Sequence, residues 1–121
     1  MSIEVVNIAD RFSRFDQRWR PYVVAELNGQ QVKVAKLEGE FVWHSHDKED
    51  ELFFVVDGRL TIELRDGSVD LTAGEMCVVP RGVEHRPVAH GLVCVLLFEP
   101  KTTKHTGEVE SDRTVRDPRW I

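Results

Sequence analysis

The chain has 121 residues and a mass of 13.9 kDa, the size of one ordinary domain, which can bury a core without staples. With 41% hydrophobic and 31% charged residues it has the composition of a soluble globular protein, and its longest apolar runs, such as Val93 to Phe98, are too short to span a bilayer. A formal net charge of −5 provides no overall positive field for phosphate backbones or anionic lipid, so neither nucleic acid nor membrane is an expected partner.

The N-terminus lacks the basic patch and apolar stretch of a secretory signal, and the expected location is cytoplasmic. Ile8, Phe12, Phe15 and Trp19 recur at helical spacing, with Asn7 and Asp10 as acceptors for a first turn. This predicts a short amphipathic helix within an N-terminal segment, residues 1–21. Its aromatic stripe is expected to pack on the outside of the following structure or on a partner subunit.

From Tyr22 to Pro100, short β-branched and aromatic runs alternate with the turn signals Asn28-Gly29, Asp57-Gly58 and Asp66-Gly67, which read as hairpins. Val32 and Val34, then Leu60, Ile62 and Leu64, then Val69 and Leu71, alternate with polar neighbours, predicting one apolar and one wet face. The runs Leu52 to Val56, Met76 to Val79 and Leu92 to Phe98 are apolar on both faces and predict strands covered on each side, by a second sheet or another subunit. Many short strands without a long helix imply an all-β sandwich or barrel over residues 22–100. Cys77 and Cys94 sit inside these runs and read as free core thiols. Residues 101–121 turn polar and charged and read as a C-terminal arm, with Trp120 and Ile121 as its anchor. The two-faced strands, the open sheet edges and the aromatic stripe together predict a homodimer.

Chemistry concentrates in two clusters. In the first, His44 and His46 are separated by one residue, so on a strand they share a face while Trp43 and Ser45 point away. Glu51 opens the next strand on the same face as Phe53 and Val55 and brings a carboxylate to the same point; Asp50 competes for that role but has the opposite parity. In the second, Pro80 and Gly82 make a tight turn that delivers His85. Three imidazoles and a carboxylate form a transition-metal ligand set with positions left for water or substrate.

These clusters resemble the paired motifs of the cupin superfamily. Gly39, His44, His46, Glu51 and Gly58 occupy the places of the first motif, and Gly74, Pro80, Gly82 and His85 those of the second. Gly39 lies one residue closer to His44 than is usual, and Ala89 stands where an asparagine is frequent; both read as changes in how a strand begins and packs. The resemblance implies a double-stranded β-helix, the jelly-roll or cupin barrel, with one divalent metal (Fe, Mn, Ni, Cu or Zn) on His44, His46, Glu51 and His85. It also implies a reaction from a wide menu, including dioxygenation and sugar isomerisation. Short chains of this kind are similar to cupins described as mannose-6-phosphate-isomerase-like.

The expected function is that of a metal-dependent enzyme acting on a small, oxygen-rich molecule chelated by the ion. The alternative is a cupin domain that binds a small molecule or metal and turns nothing over. The catalytic residues are not identified: no Lys, Tyr or second Glu stands in an evident general-base position, and Glu51 is the one candidate proton carrier. Arg81 and Arg86 flank the turn before His85, where an arginine is ordinarily a solubility feature and could otherwise meet an anionic substrate. Phe53 and Val55 are expected to fill the core rather than line a pocket, and His90 and His105 read as surface histidines in a loop and in the arm.

Overall fold

The computed structural model describes residues 3–103, 107 and 118–121. Among these, α1 (Ile8–Phe12) is followed by β1 (Tyr22–Leu27), β2 (Gln30–Glu40), β3 (Glu51–Asp57), β4 (Arg59–Leu64), β5 (Gly67–Thr72), β6 (Met76–Val79) and β7 (His85–Pro100).

Asn7 caps α1 by accepting the Asp10 amide, but the helix ends at Phe12, before Phe15 and Trp19 of the stripe. Local bonds compete with its continuation: Ser13 Oγ donates to the Asp10 carbonyl, and six residues later the chain turns to β pairing, Trp19 N donating to Lys36 O at 2.8 Å. Trp19 therefore lies off the helix, at φ 60°, and packs inside the molecule rather than on its exterior.

Two of the three turn dipeptides close hairpins. Asn28 and Gly29 both take positive φ, as a two-residue β1–β2 turn requires, and Leu64 pairs Gly67 across the β4–β5 turn. Asp57-Gly58 does not close a hairpin, because β3 pairs β6 and β7 while β4 pairs β5 and β7. Gly58, at φ 98°, carries the chain from one sheet to the other, and a Cβ there would come within 2.8 Å of Leu92 O.

The sixteen-residue β7 joins the two sheets. Its first half, His85 to Ala89, pairs β4; its second half, Cys94 to Phe98, pairs β3; and β2 runs antiparallel along both halves. His90 thus lies on a continuous strand rather than in a loop, exposed, with Nε2 2.7 Å from Thr61 Oγ1. All pairings between the seven strands are antiparallel, and the two layers fold into the jelly roll expected. Between them lie Leu37, Phe53, Val55, Leu60, Ile62, Val93, Val95 and Leu97.

The alternation in β2 has the opposite sense to that expected. Lys33, Ala35 and Leu37 face the interior, while Val32 and Val34 belong to a second cluster on the outer face with Phe12, Phe15, Tyr22 and Leu96. The N-terminal segment covers that face, so no face of β2 is fully wet. The cover does not reach β6, where Met76 (61% exposed) and Val78 (56%) point to solvent, and Val69 on β5 is also exposed. Cys77 and Cys94 are free and half-buried. At the chain's end, Val23 N donates to Arg119 O (2.8 Å), Ile121 N donates to Val23 O (3.1 Å), and Ile121 joins the outer cluster. Most of residues 101–121, His105 among them, lies outside the described residues.

Candidate metal centre

The segment between β2 and β3 is not a regular strand. Phe41 N donating to Pro87 O (2.9 Å) and the bridge of His44 N to His85 O (3.0 Å) and His85 N to His44 O (2.9 Å) fix it against β7. That bridge preserves the alternation the sequence predicts: His44 and His46 are buried, while Trp43 lies outside beneath the guanidinium groups of Arg65 (3.7 Å from the ring centroid) and Arg86 (5.5 Å). The Pro80–Gly82 turn is held by Gly82 N donating to His46 O (2.8 Å), so both clusters are tied together through their backbones.

His44, His46, Glu51 and His85 are each at most 3% exposed, and one ligand atom from each lies within 4.8 Å of all the others. Nδ1–H of His44 donates to Val42 O and Nδ1–H of His85 to Val83 O, both at 2.9 Å; a carbonyl can only accept, so each Nε2 keeps its lone pair free. His44 Nε2, both His46 nitrogens, His85 Nε2 and Glu51 Oε1 are buried without a hydrogen-bond partner, although Oε1 lies 3.4 Å from His46 Nε2 and 3.8 Å from His85 Nε2. Buried polar atoms are ordinarily satisfied, so converging orphans of this chemistry fit a divalent cation. The group could hold a metal ion, with three nitrogens and one oxygen leaving further coordination positions open.

Electrostatics favour ligation. Burial and the neighbouring His85 push the His44 imidazole down to about 4, keeping it neutral. Burial opposes ionisation of Glu51, but the neighbouring Glu99, His46 and His85 outweigh it and hold the carboxyl well below the usual range. Glu99 carries the complementary change: burial and the Glu51 charge push it well above that range. The two buried carboxyls are thus pushed in opposite directions.

Glu99 and its partner Lys33 are the site residues that the sequence reading passed over. Both are fully buried, with Lys33 Nζ 2.8 Å from Glu99 Oε1 and 3.4 Å from Thr103 O. The signal was parity: Val93, Val95 and Leu97 point inward, and Glu99 is the next residue in that register, as Lys33 is with Ala35 and Leu37. Asp50, by contrast, is exposed and accepts from the Arg81 amide at 2.9 Å and from its side chain at 3.3 Å. Arg86 pairs with Glu63 (2.6 Å) and Glu40 (3.2 Å) on the outer face. Neither arginine faces the histidines.

Next to the four residues is a cavity of about 30 Å³ lined by Trp19, Pro21, Ala35, Leu37, Phe41, Phe53, Pro87 and Leu97, with His44 and Glu51 on its polar side. It has room for about two waters. Phe53 thus lines a cavity as well as filling the core, while Val55 only fills the core. Trp19 stacks on Phe41 with centroids 4.5 Å apart and rings inclined by 10°, and its Nε1–H donates to Glu38 O (2.9 Å). A positive φ in so large a residue costs about 1–2 kcal/mol, which these contacts offset. On another side, buried Gly107 sits where a Cβ would strike the Ser45 carbonyl and crowd the His44 ring.

Residues 30–98 match the family model described as Cupin domain. Over 81 residues the chain is 36% identical to the uncharacterized protein YdbB of Bacillus subtilis, covering 66% of this chain and 72% of that one. Among solved structures it is similar to a cupin-2 domain containing protein from Shewanella frigidimarina, at 49% identity and a TM-score of 0.79, with 80% of this chain and 95% of that one covered. It is also similar to protein NMB1881 from Neisseria meningitidis, at 31% identity and a TM-score of 0.74, with 81% and 100% covered.

Proposed function

The chain belongs to the cupin family, and on that premise we propose that His44, His46, Glu51 and His85 bind one divalent transition metal and that the protein is a metal-dependent enzyme acting on a small metabolite. The observation that carries this reading is the set of orphaned, buried ligand atoms converging from two histidine clusters and a glutamate. When bound, the ion would supply Lewis acidity toward a chelating oxygen and, as iron(II), one-electron chemistry.

The protein's own contribution is positioning. The Val42 and Val83 carbonyls fix the rings of His44 and His85. The apolar walls exclude water from the reacting side. Of the two reaction types implied by the family, the dioxygenase type suits these walls better than the sugar-isomerase type. Isomerisation needs a proton carrier beside the substrate, and among the described residues the only ionisable groups on the cavity wall are His44 and Glu51, both assigned to the metal. A cytoplasmic setting agrees with two unpaired cysteines.

Elemental analysis of the purified protein beside a His44→Ala, His46→Ala double variant tests the metal site. About one equivalent of Fe, Mn, Ni, Cu or Zn in the parent, lost in the variant, is the expected result. A parent that contains no metal and takes up none when it is offered would remove the basis of the catalytic reading. A non-catalytic binding domain is the second reading, favoured by the small volume of the cavity; tight ligand binding by the metal-loaded protein with no product from any panel of diols, diketones, carboxylates or sugars would select it.

A further inference from the structure

We infer that the cavity takes a small, uncharged organic molecule with a flat apolar body, such as a simple phenol, that it rejects phosphorylated sugars, and that Trp19 is the residue that sets the size it accepts. This deepens the metal-dependent reading and rests on it for the ligand's oxygen, which would meet the ion beside His44 and Glu51.

The substrate class follows from what the walls lack. Among the described residues, every lining side chain apart from His44 and Glu51 is apolar, and three are aromatic. A phosphate needs cationic or hydrogen-bonding groups to replace its water. Among the described residues, four nearby cations are committed elsewhere. Lys33 is sealed behind the site on Glu99, Arg81 is held by Asp50 and Arg86 by Glu40 and Glu63, all facing elsewhere, and Lys36 Nζ donates to Phe15 O at 2.7 Å. A flat apolar ring, in contrast, meets Trp19, Phe41 and Phe53 on surfaces that stack.

The size argument singles out Trp19. A volume of about 30 Å³ admits a few heavy atoms, and a six-membered ring needs more. Ala35, Leu37, Phe53, Pro87 and Leu97 stand on β2, β3 and β7 and cannot recede without breaking sheet pairing. Trp19 comes from the connection between α1 and β1 and holds an unfavourable positive φ; its backbone is tied to β2 by Trp19 N donating to Lys36 O at 2.8 Å, so it is the side chain that would swing away. Its Nε1–H is committed to Glu38 O, so it offers the cavity only its ring, lying flat against Phe41. A ring entering beside Phe41 would displace the indole.

The test uses the full chain with Trp43→Phe and Trp120→Phe, so that Trp19 is the sole indole, loaded with zinc and checked for zinc content. Phenol, toluene, 2-naphthol and mannose 6-phosphate are titrated by fluorescence and calorimetry, toluene also against the metal-free protein. Expected are saturable changes in Trp19 emission with phenol and toluene, and phenol affinity at least about tenfold above that of mannose 6-phosphate. In Trp19→Ala, followed by calorimetry, zinc content is retained while 2-naphthol gains about tenfold over phenol; Trp19→Phe, with its smaller change of shape, should lie between. Mannose 6-phosphate binding as tightly as phenol, absence of saturable toluene binding, or an unchanged size preference in zinc-loaded Trp19→Ala would each overturn the inference. Absence of zinc would overturn the metal-site reading instead, and toluene would still report on the cavity.

Discussion

His44 meets two demands at once: its Nδ1–H is tied to Val42 O, and its Nε2 is buried among His46, His85 and Glu51. Burial and His85 hold its folded pKa at about 4, against 6.5 for a free imidazole. Between those values only the unfolded chain takes up the proton, so the metal-free protein loses stability as pH falls from about 6.5 to about 4. The loss from this group alone is at most about 3 kcal/mol and levels off below the folded value. Urea unfolding of metal-free protein at pH 7 and pH 4.5 should show it, and a His44→Gln variant should have the shallower dependence. An equal or steeper slope in the variant would assign the effect elsewhere. At this scale the ligand set was legible, because His-x-His, Glu51 and His85 declare themselves by residue type and spacing. Lys33 and Glu99 did not, because a charge alternating with valines looks solvated until the opposite sheet is placed over it.

Among the elements, Gly58 shows most sharply what a turn residue does here. A reading by dipeptide treats Asp57-Gly58 like Asn28-Gly29, yet the two glycines serve different ends. Around Gly29 there is open space, whereas at Gly58 a Cβ would come 2.8 Å from Leu92 O and 3.0 Å from Val93 Cγ2. Gly29→Ala should therefore cost about 1 kcal/mol, from its positive φ alone, while Gly58→Ala adds overpacking against β7 and should cost about 2–4 kcal/mol. Thermal denaturation of the two variants compares them directly, and equal losses would mean that Gly58 is only a turn. The same contrast explains why the hairpin pattern was partly misread. A local signal reports that the chain turns, but the next strand's partner is chosen by which sheet still has an open edge.

For the whole molecule, the outer face of β6 and β3 remains to be covered. Met76 and Val78 are exposed beside half-buried Leu52 and Phe54, and β6 is the edge of its sheet, whereas Trp120 and its neighbours bridge to β1 at the other edge. We take this apolar edge as the surface on which a second copy would dock in the expected homodimer. Light scattering of the intact chain should return twice 13.9 kDa, and Val78→Glu should return the monomer mass with the fold retained. A parent of monomer mass would count against it.

The sequence by itself determined the class of the fold, the turn at Pro80–Gly82 and the four candidate ligands, because strand parity and residue chemistry are local properties that survive any arrangement of the sheets. Only the tertiary structure decided the rest. It turned Lys33 and Glu99 inward to stand behind Glu51, sent Arg81 and Arg86 to outside partners, and brought Trp19 from a predicted surface helix to the wall of the cavity. Each of these depends on which face the second layer covers and on long-range pairing, such as Trp19 with β2 and β2 with β7. No window of neighbouring residues encodes such contacts.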